Sequence, residues 1–208
     1  MIKPRSFRSS FLVLGSSAVF VCLAFCCFAH AQTYYPNTEV RIGDLPSVTA
    51  KSKDASDVLA ASLEIILRNK EVCCGKNSAL EDDVQRADPK SLKDVATRLQ
   101  GRHVLGDGRS IMVTAEYVPA TSLVGGTFIG TLNDKQPLLM EWNSHLYVVY
   151  GVIYSTIYSP EGGRTDSIFK IFLLNPRYSD QHREVIFDRQ TDDWGKVQGL
   201  LTLKAAPQ

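Results

Sequence analysis

A change in residue pattern at Gly106 to Gly108 limits the folds open to this chain more than any other feature. Before this point apolar residues recur at helical spacing. After it, short segments rich in Val, Ile, Tyr, Phe and Thr alternate with turn-forming residues. Helices followed by several strands are typical of an α+β domain. We therefore predict an α+β fold in which N-terminal helices pack on a C-terminal antiparallel sheet.

Three helices are predicted before the change. The first covers Asp54–Asn69, where apolar residues follow a near-helical spacing. The second runs from the Cys73-Cys74 pair to about Arg86. The third opens at Asp88-Pro89 and runs through Leu99, because proline is favoured in the first turn of a helix.

Seven strands are predicted after the change. Turn-forming pairs such as Asn133-Asp134 and Gly162-Gly163 separate them. The predicted strands are Ser110–Val118, Thr127–Leu132, Pro137–Trp142, His145–Tyr158, Ser167–Leu174, Glu184–Arg189 and Val197–Leu203.

The first segment of the chain has the three parts of a secretory signal peptide. A basic start leads into an apolar run from Phe11 to Phe28, and Ala29-His30-Ala31 supplies the small residues that signal peptidase reads. We therefore predict that residues 1–31 are cleaved before Gln32, which makes the protein secreted or periplasmic. The apolar run approaches the roughly 20 residues that span a bilayer, so an uncleaved membrane anchor is the alternative.

Removal of the signal peptide leaves a mature chain of nearly balanced charge. Three of the 23 basic residues and none of the 22 acidic ones lie in residues 1–31, so 20 basic and 22 acidic residues remain, a formal charge of −2. This balance provides no basic field for nucleic acid. We predict no nucleic-acid partner, no cofactor or metal, and no stable membrane insertion after cleavage. Residues 32–53 are predicted to form an extended N-terminal arm, and residues 54–208 one domain.

The use of cysteine argues against a disulfide framework. Three of the five cysteines lie in the predicted signal peptide, so the mature chain keeps only the adjacent Cys73 and Cys74. Adjacent Cα atoms lie about 3.8 Å apart, closer than the roughly 4.4–6.8 Å of ordinary disulfides. A bridge between them would be strained, and a free thiol in an oxidising compartment indicates reactivity.

Cys74 is the candidate nucleophile. It precedes Gly75 and lies where the second predicted helix begins, so the positive end of the helix dipole favours its thiolate. The dipole contributes only about 0.3–1 kcal/mol, less than the roughly 1.36 kcal/mol of one pKa unit. A thiolate at neutral pH therefore needs a histidine partner as well.

His145 is the candidate partner, and Asn175 is the candidate residue that orients it. His145 opens a strongly apolar predicted strand, from which its ring could form the ion pair that holds the thiolate. Asn175 closes the next predicted strand, where its amide oxygen could accept a hydrogen bond from the ring. A structural histidine and a turn-forming Asn-Pro pair are the alternative interpretations. His103 and His182 lie in polar segments and are predicted to be solvated.

The order of these residues resembles that of papain-like cysteine peptidases, and most closely the double-glycine leader peptidases and their relatives. Cys74-Gly75 resembles the nucleophile motif of that family, and His145–Gly151 resembles its histidine motif. Asn175-Pro176 resembles its acidic or amide residue followed by proline. The resemblance covers roughly residues 60–180. It implies a papain-like fold, a Cys-His-Asn triad and a peptide or protein substrate.

One part of the family pattern is altered in this chain. The family usually places a glutamine about six residues before the nucleophile, where its amide helps to bind the oxyanion. Here Arg68 stands six residues before Cys74, and Asn69 stands five before it. Asn69 offers the amide N–H donor that an oxyanion requires, and the backbone N–H of Cys74 offers another. Cys73 has no counterpart in the family pattern and is interpreted as a small buried residue.

Two functions remain open from the sequence. The first is an exported cysteine hydrolase that cleaves peptide amide bonds, and an acyl or amide transferase would use the same triad. The second is a catalytically inactive papain-like module that binds peptides or other partners, which the missing glutamine and the doubled cysteine favour. Hydrogen bonds from His145 to the Cys74 sulfur and to the Asn175 amide would favour the hydrolase.

Overall fold

The computed structural model describes residues 33–69, 79–122 and 125–208 of the 208-residue chain. These residues form an α+β fold, as the sequence predicted. The α-helices of this part of the chain are α1 (Ala55–Arg68), α2 (Ala79–Arg86), α3 (Leu92–Leu99) and α4 (Gly125–Asn133). Its strands are β1 (Thr33–Arg41), β2 (Gly101–Val104), β3 (Ser110–Pro119), β4 (Leu138–Trp142), β5 (His145–Tyr158), β6 (Arg164–Leu174), β7 (Glu184–Asp188) and β8 (Val197–Pro207). The predicted signal peptide lies outside the described residues.

The strands form one antiparallel sheet around the long strand β5. Seven strands follow the order β2-β3-β8-β4-β5-β6-β7, and β1 pairs with β5 outside this path. One side of β5 pairs with β6. On its other side β4 pairs with the first residues of β5, and β1 pairs with residues from Gly151 to Tyr158. The extended arm predicted for residues 32–53 therefore begins as a strand of the sheet.

Alternating side chains of β5 divide the interior into two cores. Leu146, Val148 and Tyr150 belong to a core shared with α1, α2 and α3. Tyr147 and Val149 belong to a second core shared with α4. This alternation follows from the two-residue period of a strand. The helices consequently cover both faces of the sheet, three on one face and α4 on the other.

A bulge at Gly151 reverses the alternation within β5. The register with β6 shifts at this residue, and beyond it Val152 joins the α4 core whereas Ile153 packs on the other core. A Cβ atom at Gly151 would lie 2.9 Å from the carbonyl oxygen of Val40 and 3.0 Å from Cδ2 of Phe172. The neighbouring strands β1 and β6 thus approach too closely for any residue larger than glycine, as is common at a bulge.

Helix α1 is the main helix of the first core, and the sequence predicted its position to within one residue at each end. Its apolar residues, including Val58, Leu59 and Leu63, are almost completely inaccessible to solvent. Ser62 is also buried, and its hydroxyl donates to the carbonyl oxygen of Val58 at 2.7 Å. A helix that is buried on most sides is a core element rather than a surface helix.

The predicted strand Thr127–Leu132 was wrong, because these residues lie in helix α4. Phe128, Ile129 and Leu132 are buried together in the second core. Their spacing of one and three residues also fits one face of a helix. The β-branched residues of the segment favoured a strand locally, and packing on the sheet overrides that preference.

The start of helix α3 also differs from the prediction. Ser91, rather than Asp88, is the N-cap, and its hydroxyl accepts a hydrogen bond from the backbone N–H of Asp94 at 3.2 Å. Pro89 lies in the turn before the cap. After α3 the chain forms strand β2, which was not predicted because its four residues are too few to show a periodic pattern.

Candidate functional site

The β4–β5 hairpin places His145 at one end of the sheet, which we call the hairpin end. Asn143 and Ser144 connect the two strands, and both have positive φ, 52° and 60°. Two positive φ values identify a type I′ turn, whose twist matches that of the flanking strands. Trp142 pairs with His145 across the turn. His145 is therefore the first residue of its strand, as the sequence predicted.

The ring of His145 is exposed and held by its own turn. Its Nδ1 lies 2.9 Å from the carbonyl oxygen of Ser144. Because a carbonyl oxygen can only accept, Nδ1 donates in this hydrogen bond. The lone pair of a neutral imidazole then lies on Nε2, and this nitrogen is available to take a proton.

Asn175 lies at the same end of the sheet, but its side chain forms a hydrogen bond within its own turn. Strand β6 runs antiparallel to β5, with Leu174 opposite Val148, so the residue after β6 reaches the hairpin end. Asn175 is only 7% exposed. Its side-chain oxygen accepts from the backbone N–H of Arg177 at 3.1 Å. This is the turn-forming role, and within the described residues the orienting acceptor of His145 is the Ser144 carbonyl.

Asn69, the candidate oxyanion donor, lies at the opposite end of β4. It caps the C-terminus of α1, and its side-chain N–H donates to the carbonyl oxygen of Lys135 at 2.9 Å. Lys135 precedes β4, whereas His145 follows it. The four residue steps of β4 alone measure about 13 Å at roughly 3.3 Å per residue. The structure therefore does not bring Asn69 and His145 together.

Cys73 and Cys74 lie outside the described residues. Their segment is flanked by Asn69 and Ala79, which end and begin the neighbouring described parts. Cys74 is five residues from Asn69, and five residues extend at most about 18 Å.

An aromatic cluster beside His145 was not predicted from the sequence. The ring centroid of Trp142 lies 5.5 Å from that of Tyr147 and 5.1 Å from that of Phe187. Burial raises the pKa of Tyr147, with the nearby Arg177 opposing the shift. The indole N–H of Trp142 and the Nε of Arg177 are buried without a hydrogen-bond partner among the described residues. The hairpin end therefore carries aromatic rings and two buried N–H donors near His145.

Glu141 is a carboxyl group on β4 close to the hairpin. It pairs with Leu146 across the β4–β5 ladder, one position from the Trp142–His145 pair. Burial raises its pKa above the ordinary value of a glutamate. The hairpin end therefore combines the Nε2 nitrogen of an exposed imidazole with a carboxyl group whose pKa burial raises.

His103 was predicted to be solvated, and that prediction was wrong. It lies on β2 and is only 4% exposed. Its Nε2 lies 2.8 Å from the carbonyl oxygen of Leu99, and its Nδ1 lies 3.4 Å from a carboxylate oxygen of Asp83. His103 is a structural residue that joins α2, α3 and β2. His182 is exposed, as expected, and its ring contacts Asp180 at 3.1 Å.

Comparison with known proteins identifies no relative. No family model matches the sequence, no curated protein matches it, and no solved structure matches the fold. Within residues 33–69, 79–122 and 125–208, no three His, Cys, Asp or Glu side chains are grouped to hold a metal ion. The helices in those ranges are also too short or too polar to cross a membrane.

Proposed function

We propose that the protein is an exported papain-like cysteine hydrolase that cleaves peptide amide bonds with Cys74 as nucleophile and His145 as acid and base. The observation that carries the proposal is the exposed ring of His145, whose Nδ1 is fixed on Ser144 and whose Nε2 can accept a proton. A Cys-Gly pair in the sequence supplies the thiol. A thiol nucleophile needs such a base within reach.

The chemistry proceeds in two steps that balance in protons and bonds. The Cys74 thiolate attacks the carbonyl carbon of the amide, and the backbone N–H of Cys74 stabilises the oxyanion. The imidazolium of His145 gives its proton to the leaving amine as the C–N bond breaks, which leaves a thioester. Nε2 then takes a proton from water as the water attacks the thioester, and the acid product leaves with the thiolate–imidazolium pair restored.

Selective alkylation tests the proposed pair, with Cys73 as an internal control. At about pH 6 an unperturbed thiol with a pKa near 8.5 is almost fully protonated. Iodoacetamide should therefore label Cys74 faster than Cys73, and His145→Ala should abolish the difference. His182→Ala, which removes an exposed histidine from the loop between β6 and β7, should leave the difference in labelling rate unchanged. Equal, slow labelling of both cysteines would exclude the pair.

A peptide library then tests turnover. The protein without residues 1–31 should cleave some library members, and Cys74→Ala should cleave none, whereas Cys73→Ala should retain activity. Mass spectrometry of the products identifies the bond that is cleaved. Cleavage that persists in Cys74→Ala would overturn the assignment of the nucleophile.

A binding module without turnover is the second candidate. Two observations favour it: the Asn175 side chain is engaged by Arg177, and Asn69 lies at the opposite end of the sheet from His145. In that case library peptides would bind to wild type and to Cys74→Ala with equal affinity and would remain uncleaved. The same library, read by binding and by cleavage, separates the two functions.

A further inference from the structure

A cavity of about 420 Å³ lies beside β5, on the face of the sheet that packs against α1, α2 and α3. The chain that follows β1 forms one wall, and the loop before β7 forms another. Charged and polar side chains line it: Arg41, Asp44, Tyr150, Arg183 and Glu184. Its volume falls in the range of roughly 300–1,000 Å³ that small-molecule sites occupy.

Arg41 presents a fixed cation to this cavity. Its guanidinium carbon lies 3.7 Å from the centroid of the Phe172 ring, and its Nε lies 3.0 Å from a carboxylate oxygen of Glu39. Stacking of this kind holds the guanidinium plane without using its terminal N–H groups. Among the described residues, those terminal groups have no hydrogen-bond acceptor. The guanidinium is therefore held by Phe172 and Glu39, and its terminal N–H groups can bind a second carboxylate.

Asp44 presents an anion to the same cavity. Its carboxylate forms no ion pair or hydrogen bond with another described residue. Glu39, by contrast, forms an ion pair with Arg41. A free carboxylate and a free guanidinium edge thus line one small space. Ile42 and Leu45 add an apolar part to the wall.

The other two charges of the cavity hold its walls. Arg183 donates to the carbonyl oxygen of Pro46 at 3.1 Å and to the hydroxyl of Ser47 at 3.3 Å, which fixes the chain after β1. Burial raises the pKa of Tyr150, and the neighbouring Glu184 carboxylate raises it further. The phenol therefore remains protonated, and it forms a hydrogen bond with the side chain of Glu184.

We propose that this cavity binds a free α-amino acid, with the carboxylate on Arg41 and the ammonium on Asp44. A simple anion would leave Asp44 unpaired, and an internal peptide segment carries neither terminal charge. The apolar wall fits an aliphatic side chain. The cavity contains none of the catalytic residues of the proposed hydrolase, so amino-acid binding and hydrolysis can be tested independently.

Titration calorimetry with leucine and two blocked derivatives tests which charges of the ligand are needed for binding. Leucine should bind, whereas N-acetyl-leucine lacks the ammonium and leucinamide lacks the carboxylate. Each should bind about tenfold or more weakly, because each loses one charge-assisted hydrogen bond. Equal affinity for leucine and either derivative, or no heat with leucine at millimolar concentration, would overturn the proposal.

Charge-neutral variants assign the two groups. Arg41→Gln and Asp44→Asn should each weaken leucine binding about tenfold or more. Asparagine tolerates the left-handed backbone of Asp44, whose φ is 54°, so that variant should keep its fold. Arg102→Gln and Asp82→Asn, which change exposed charges on β2 and α2, are the matched controls and should bind as wild type. Cys74→Ala should also bind as wild type, and unchanged binding in Arg41→Gln and Asp44→Asn would place the ligand elsewhere.

Discussion

His145 and His103 lie on different strands of one sheet, with β3, β8 and β4 between them, and differ in burial and in hydrogen bonding. His145 is exposed at a tight turn, and within the described residues the one hydrogen-bond partner of its ring is the carbonyl oxygen of Ser144. His103 is buried under two helices and contacts Leu99 and Asp83, which belong to different elements. One ring is accessible to solvent, whereas the other is part of the core.

The comparison shows that the polarity of flanking residues does not determine the role of a histidine. His103 stands between Arg102 and Val104 in a short segment, and its neighbours favoured exposure. The packing of α2 and α3 over β2 buries it. His145 begins an apolar strand, yet it follows directly on the turn at Asn143 and Ser144 and is exposed to solvent. The tertiary environment of each ring therefore has to be tested separately.

The largest difference between the two regions should appear in stability. His103→Ala leaves the Leu99 carbonyl without its partner and opens a cavity, so it should lower the free energy of unfolding by about 2–4 kcal/mol. His145→Ala removes an exposed ring and should change it by less than about 0.5 kcal/mol. Urea unfolding at pH 7 measures both, with His182→Ala as the exposed control. Equal losses for His103→Ala and His145→Ala would refute the contrast.

The next effect concerns Asn175, whose side-chain oxygen accepts a hydrogen bond from the backbone N–H of Arg177. Asn175→Ala removes the acceptor of the Arg177 N–H and should lower the free energy of unfolding by about 1–2 kcal/mol. Asn175→Asp keeps an acceptor oxygen and should recover most of this loss.

Turnover distinguishes this role from that of a triad member. If Asn175 acts only in the turn, turnover per folded molecule should stay within about twofold of wild type in both variants. A much larger fall in Asn175→Ala, rescued in Asn175→Asp, would return Asn175 to the catalytic site. The amount of folded protein in each sample is determined by the same unfolding curves.

A smaller effect should come from the turn that presents His145. Ser144 has a φ of 60°, a conformation that costs energy for a residue with a Cβ atom. Ser144→Gly should therefore raise the free energy of unfolding by about 0.5 kcal/mol, after the greater flexibility of glycine in the unfolded chain is included. Asn143→Gly should gain less, because asparagine tolerates this region. A loss of stability in Ser144→Gly would show that the serine side chain supports the turn.

The smallest effect should be a pH dependence at Glu141. Its pKa is raised in the folded protein because burial penalises the carboxylate. Ionisation therefore costs stability as the pH rises above the unfolded pKa of about 4.3. Glu141→Gln should be more stable than wild type at pH 7, and the difference should vanish below about pH 4. Unfolding curves from pH 3.5 to 7.5 measure it, with the exposed Glu161→Gln as control.

The sequence by itself determined the elements whose pattern is long and regular. Strand β5 begins and ends at the residues predicted for it, because nine of its fourteen residues are Val, Ile or Tyr, which favour a strand. Helix α1 was predicted on the same basis. The order of the predicted helices before most of the predicted strands also indicated the α+β class, which the structure confirms.

Only the tertiary structure decided the cases in which local preference and packing disagree. Residues 127–132 favour a strand locally, but Phe128, Ile129 and Leu132 can be buried together on the sheet only as a helix. His103 is buried because residues of α2 and α3, distant in sequence, cover β2. Burial depends on which element packs on which, and these non-local contacts are absent from any short window of sequence.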